Sequence, residues 1–189
     1  MLIDIQPEQA TRTFGLTGIT YFPRTRGGHL HAATAQFLST VGLPSNKFFS
    51  PKLDLDDPTR LECRPSLKTM FDADGTPCPA EAENWEILGE FQYATVAIDP
   101  ESGKIYSFGE GEEFAVPMHG DASSLVHALV TLEISLTELK KIAPDDDPAR
   151  ELAVDSLRQQ ILKSDATPFA SEDGEWSKLL EEIGFGMWG

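Results

Sequence analysis

The chain has 189 residues, 40% hydrophobic and 24% charged, which suits one globular domain and excludes a disordered or low-complexity chain. Its 15 Lys and Arg against 31 Asp and Glu leave a formal net charge of -16, a field that repels nucleic-acid phosphate and anionic lipid while attracting basic proteins. Direct nucleic-acid or membrane-surface binding is therefore not expected; the charge favours encounter with basic proteins, but an acidic proteome gives the same balance and charge alone does not decide a partner.

The first 17 residues carry acids where a signal peptide wants bases and lack a long apolar run, so the chain reads as cytoplasmic and residues 1–17 as an irregular segment. "GITYFP", from Gly18 to Pro23, is short, β-prone and closed by proline, which predicts a strand. In "HLHAATAQFLSTVGLP" the residues Leu30, Ala33, Phe37, Leu38 and Val41 follow helical spacing, with Gly42 and Pro44 as the stop. "KFFSPKLDLDD" alternates around Leu53 and Leu55 and predicts a strand that its proline pushes to a sheet edge. Residues 57–83 are rich in Pro, Asp and Gly and read as loops around a short strand at "SLKTMF".

From Trp85 the pattern sharpens. "WEILGEF", "YATVAID", "KIYSF" and "EFAVP" are short runs rich in Ile, Val, Tyr and Phe, separated by turns such as "DPESG". Connections this short join antiparallel neighbours, because a parallel crossover needs about a dozen residues or more. "SSLVHALVTLEISLTELKKI" then places Leu125, Leu129, Leu132, Leu136 and Leu139 on one stripe of a long helix capped by Ser123 or Ser124, expected to lie on the sheet. A further helix opens at "DDPARE", with Asp147 as cap and Leu152, Leu157 and Ile161 facing inward. Another presents Trp176, Leu179, Leu180 and Ile183 before Gly184. The expected fold class is α+β, a single domain over 1–189 with an antiparallel meander flanked by helices.

No reactive constellation accompanies these elements. His29 and His31 are two apart, about 200° apart on a helix, and are poorly placed to chelate a metal. His119 and His127 read as turn and helix polarity, so each of the four histidines is expected to be replaceable by Ala without loss of activity. Cys63 and Cys78 lack metal or redox spacing and read as reduced thiols. "DLDD" at Asp54–Asp57 and "DADG" at Asp72–Gly75 resemble fragments of calcium loops without the closing glutamate. "FGEGEE" has glycines, but Glu110, Glu112 and Glu113 would repel a phosphate. No metal, no cofactor and no catalytic set is expected, which favours a binding module over a small metal-dependent or hydrolytic enzyme.

"FLSTVGLP" followed by "FF", then "LGEFQYATVAIDPESGKIYSF", "SSLVHALVTLE" and "WSKLLEEIG", together resemble the SUKH superfamily, in particular the SUKH-4 immunity proteins of bacterial polymorphic toxin systems. An aromatic frequent in that family a few residues into the long helix is replaced here by Ala128 and Leu129. The resemblance implies an antiparallel sheet flanked by helices and a protein that binds and neutralises a cognate toxin domain, commonly a nuclease or nucleic-acid deaminase. It also leaves open a regulatory or scaffold role for the same fold with another partner. Acids carried on turns of the sheet are the expected contacts with a basic toxin: Glu110, Glu112 and Glu113, with Asp72 and Asp74 as a second cluster.

Overall fold

Residues with branched and aromatic side chains in short alternating runs build a sheet only if both of its faces find cover, and here both do. A computed structural model describes residues 3–24, 29–53, 65–92, 94–109, 114–143 and 146–188. Within them β4 (Glu86–Phe91), β5 (Ala94–Ile98), β6 (Ile105–Phe108) and β7 (Val116–His119) form consecutive antiparallel pairs, and β3 (Phe49–Pro51) joins the free edge of β4. A separate antiparallel pair is made by β1 (Ile19–Thr20) and β2 (Leu43–Pro44).

Alternation along the strands feeds two apolar layers. Leu88, Val96, Ile98 and Ile105 meet the main core, whereas Ile87, Ala97, Tyr106 and Phe108 meet a second cluster around Leu67, Phe71, Ala82 and Trp85. On that second face Trp85 stacks on Tyr106 at 4.2 Å between ring centroids, and Phe71 meets Phe108 edge-on at 5.6 Å. The main core is covered by α4 (Ala122–Leu139), whose five predicted leucines are all buried, each contributing about 1.5–3 kcal/mol of transfer free energy. Helices α5 (Asp147–Ser164) and α6 (Glu175–Gly184) complete this layer through Leu157, Ile161, Trp176, Leu179 and Ile183.

Two glycines are required by close approach. Gly42 follows α2 (Ala32–Thr40) at φ +76°, and a Cβ there would lie 2.6 Å from the Thr20 carbonyl oxygen, so the left-handed stop predicted from the sequence also permits the β1–β2 pairing. Gly89 faces β3 across the sheet edge, where a Cβ would sit 2.4 Å from the Ser50 carbonyl oxygen and 2.9 Å from the Phe49 ring. The Leu88-Gly89 pair therefore lets an aromatic residue of the edge strand lie against the sheet.

Several expectations are corrected. The N-terminal segment contains a helix, α1 (Pro7–Phe14), started by proline in its first turn, ended by Gly15 and buried at Ala10. The Ile3 backbone N–H donates to Ser123 Oγ at 2.6 Å, fastening this segment to the start of α4. "SLKTMF" is helical, α3 (Leu67–Asp74): Leu67 and Phe71, four apart, are the buried pair, a helical period that a reading for alternation misses. The edge strand does contain its proline, Pro51, but ends before Leu53, which is exposed. β7 begins later than "EFAVP" and runs through His119.

The cap of α4 is Asp121, whose Oδ1 accepts from the backbone N–H groups of Ser123 (2.9 Å) and Ser124 (3.0 Å), while Ser124 Oγ accepts from Asp121 N–H. The cap of α5 is also earlier than expected, by one residue, at Asp146. Leu152 is 72% exposed; Leu157 and Ile161 are the leucine and isoleucine of α5 that reach the core. Ala33 is exposed and Thr34 is buried in its place on α2.

Candidate functional site

His119, Asp165 and Ser124 bring together the residue types of a hydrolytic triad, so their geometry decides whether chemistry is available. His119 ends β7 and is 1% exposed. Trp176 Nε1–H donates to His119 Nε2 at 2.8 Å, and an indole nitrogen can only donate, so the ring proton resides on Nδ1. Nδ1 lies 3.3 Å from Asp165 Oδ2 and 3.4 Å from Ser124 Oγ. A base that activates serine needs the hydroxyl on one ring nitrogen and the carboxylate on the other. Here both sit at Nδ1, and the opposite nitrogen is sealed by the Trp176 indole.

The cluster is a buried clamp between β7, the loop after α5 and α6. Burial pushes the His119 pKa below its usual value, against the opposing influence of Asp165, and keeps the ring neutral. Burial works against the Asp165 carboxylate too, but hydrogen bonds from His119, from the Gly120 backbone N–H (2.8 Å) and from Thr167 (backbone N–H, 2.9 Å) outweigh it and hold its pKa far below the ordinary carboxylate range. This clamp corrects the reading of His119 as exposed turn polarity.

The remaining histidines do not converge. His29 is exposed, His31 occupies the N-cap position of α2 with Nδ1 3.3 Å from Thr34 Oγ1, and His127 lies on α4, its pKa lowered by partial burial. Among the described residues no three His, Cys, Asp or Glu side chains gather as a metal cluster. Cys78 is a free thiol raised in pKa by burial; Cys63 lies outside the described residues.

The predicted partner-binding acids divide. Glu110, Glu112 and Glu113, like Asp54–Asp57, lie outside the described residues. Asp72 and Asp74 are exposed, but they belong to the last turn of α3 rather than to a turn of the sheet. Gly75, at φ 71° and ψ 20°, caps that helix in the left-handed conformation, so "DADG" is a helix end and not part of a calcium loop. Asp72 pairs with Lys68 at 3.6 Å one helical turn earlier. The Phe71–Phe108 contact holds α3 against the end of β6.

A concave surface that the sequence did not announce lies elsewhere. α5, α6 and the short 3-10 turn Thr167–Phe169 border a groove of about 890 Å³. Asp147, Glu151, Asp155, Glu172 and Glu181 line it together with Arg150 and Arg158, and its apolar wall includes Phe169, Leu180 and Phe185. Arg158 already rests on the Phe169 ring, 5.0 Å from its centroid. Phe185 is 77% exposed, just beyond the end of α6 and between two glycines. The glycine–phenylalanine–glycine run is the local signal that could have pointed here, since an aromatic residue just past a helix end has no element of its own to cover it.

A comparison with known families matches residues 5–182 to the SUKH-4 immunity protein family, extending the resemblance through α1 as well as the sheet and the long helices. No curated protein and no solved structure matches the chain. Among the described residues no helix is long and apolar enough to cross a membrane. By a match that runs over nearly its whole length, the chain belongs to the SUKH-4 immunity protein family.

Proposed function

We propose that this chain is a cytoplasmic bacterial immunity protein that neutralises the cognate domain of a polymorphic toxin, a nuclease or nucleic-acid deaminase, by binding it rather than by chemistry of its own. The family match over residues 5–182 carries the reading. Two further observations support it: the His119 cluster lacks an accessible base, and the net charge of -16 complements the basic substrate channels of enzymes that handle nucleic acid. A rigid sheet covered on both faces presents its turns and helix ends on a fixed frame, which limits the ordering cost of binding. Glu110, Glu112 and Glu113, with Asp72 and Asp74 as a second cluster at the end of α3, act in this reading as the acids that steer a basic toxin.

The test is a pull-down from the native organism followed by co-expression of the recovered toxin domain with this chain in a bacterial host. Recovery of a toxin domain whose growth arrest is relieved by the chain is the expected result. Recovery of no toxin, or arrest that persists in the presence of folded chain, overturns the immunity reading.

A further inference from the structure

We propose that the groove between α5 and α6 seats the C-terminal end of a basic helix of the toxin, an inference that rests on the immunity function proposed above. The observation that starts it is Arg150, on the first turns of α5. The residue is 9% exposed, so most of its side chain is covered where it lines the groove, and its unpaired guanidinium N–H groups keep a narrow opening to solvent. Among the described residues the guanidinium makes no hydrogen bond and no ion pair, although Asp147, Glu151, Asp155, Glu172 and Glu181 line the same groove. A planar cation with five donors gains from an acceptor that enters a sheltered site, where few waters compete for its N–H groups.

The chain passes close to this side chain. After α6 it turns back at Gly186, φ +74°, where an added Cβ would sit 3.6 Å from Arg150 Nη1. The turn leaves the exposed Phe185 ring on the groove wall beside Leu180. The groove therefore offers three things together: an unpartnered fork of donors at its floor, a rim of carboxylates and an apolar wall.

A free anion would satisfy the floor and be repelled by the rim. A lone cationic side chain would satisfy the rim and be repelled by the floor. One common element satisfies both: the last turn of a helix presents up to four carbonyl oxygens without intrahelical partners, at the negative end of the helix dipole, and favours Lys and Arg on the same turn. Its carbonyls accept from Arg150, its cations reach Glu151 and Asp155, and its apolar residues pack on Phe169, Leu180 and Phe185. A helical turn about 10–12 Å across and 5.4 Å long fills roughly 400–600 Å³, which fits within the groove's 890 Å³. The acids at Glu110, Glu112 and Glu113 then govern approach, while the groove governs residence.

The test measures binding kinetics of the full chain against the toxin domain recovered by pull-down. Phe185→Ala, and separately Glu151→Lys with Asp155→Lys, change exposed side chains and should leave the melting temperature unchanged. Each is expected to raise Kd about tenfold or more, mainly by faster dissociation. Arg150→Lys, which keeps the charge and loses the fork, should weaken binding in the same way. Leu152→Ala, exposed on α5 outside the groove, is the control and should change nothing. Amide hydrogen exchange should show new protection on α5 and α6 in the complex.

If wild-type chain binds the toxin and all the groove variants keep its Kd within about twofold, or if protection appears only outside α5 and α6, the groove is overturned while the immunity reading stands. If wild-type chain does not bind the toxin, both fall. Millimolar inorganic phosphate that binds the free chain through Arg150 without competing with the toxin would make the floor an anion site and overturn the helix-end seat.

Discussion

The His119 imidazole shows how one buried polar side chain can gather the residue types of a catalytic triad and act as structure. Its Nε2 lone pair is occupied by the Trp176 N–H, so protonation would set two N–H groups against each other. A histidine kept neutral by burial has a folded pKa below its unfolded value near 6.5, so the unfolded chain binds more protons below that pH. Stability from this group is thus full above about pH 6.5 and declines as pH falls through the range below it. Asp165, whose carboxyl pKa is depressed on folding, adds loss in the same direction at lower pH, below about 4. Chemical denaturation across pH 8 to 5 should show a falling midpoint for the wild-type chain and a flatter profile for His119→Phe; a wild-type midpoint that rises on acidification would contradict the neutral clamp. His119→Ala should cost about 2–4 kcal/mol, since it opens a cavity and removes the acceptor of the Trp176 N–H, whereas His29→Ala and His31→Ala should stay within about 0.5 kcal/mol. Nothing in "MHGD" marks this difference, because Asp165 and Trp176, which hold His119 in place, lie 46 and 57 residues away.

Elements whose signals are local were legible, and those set by distant partners were not. The meander from Trp85 and the leucine stripe of α4 stand as expected, since alternation, turn residues and helical spacing all lie within a few residues of one another. The helix at Leu67–Asp74 was missed because "SLKTMF" is too short to separate the two periods, and the strand read around Leu53 in fact lies at Phe49–Pro51. Leu152 shows the same limit, an apolar residue at plausible spacing that faces solvent because α5 turns Leu157 and Ile161 to the core. Leu132→Ala on α4 should therefore destabilise by about 2–5 kcal/mol and Leu152→Ala by less than about 0.5, a contrast that urea denaturation resolves. Gly89→Ala should cost about 1–3 kcal/mol, because its methyl group meets the Ser50 carbonyl and the Phe49 ring; unchanged stability would mean that β3 does not lie where it is described.

At the scale of the whole molecule the charge and the family point the same way. A net charge of -16 gives a long-range attraction for a basic partner that salt screens, and neutralising Glu110, Glu112 and Glu113 together to Gln should lower the association rate by about tenfold and flatten its salt dependence without altering folding. The same change with Asp72→Asn and Asp74→Asn should extend the effect if the end of α3 shares the encounter surface. What the sequence could not show was the groove, since it is assembled from α5, α6 and the residues after α6, and no short motif records their contact. The central claim is that this chain silences a toxin by binding it. Titrating purified chain into an assay of the recovered toxin domain's action on nucleic acid tests that claim most directly: activity should vanish near one chain per toxin and return as added salt weakens the complex, whereas full toxin activity at saturating chain would contradict the account.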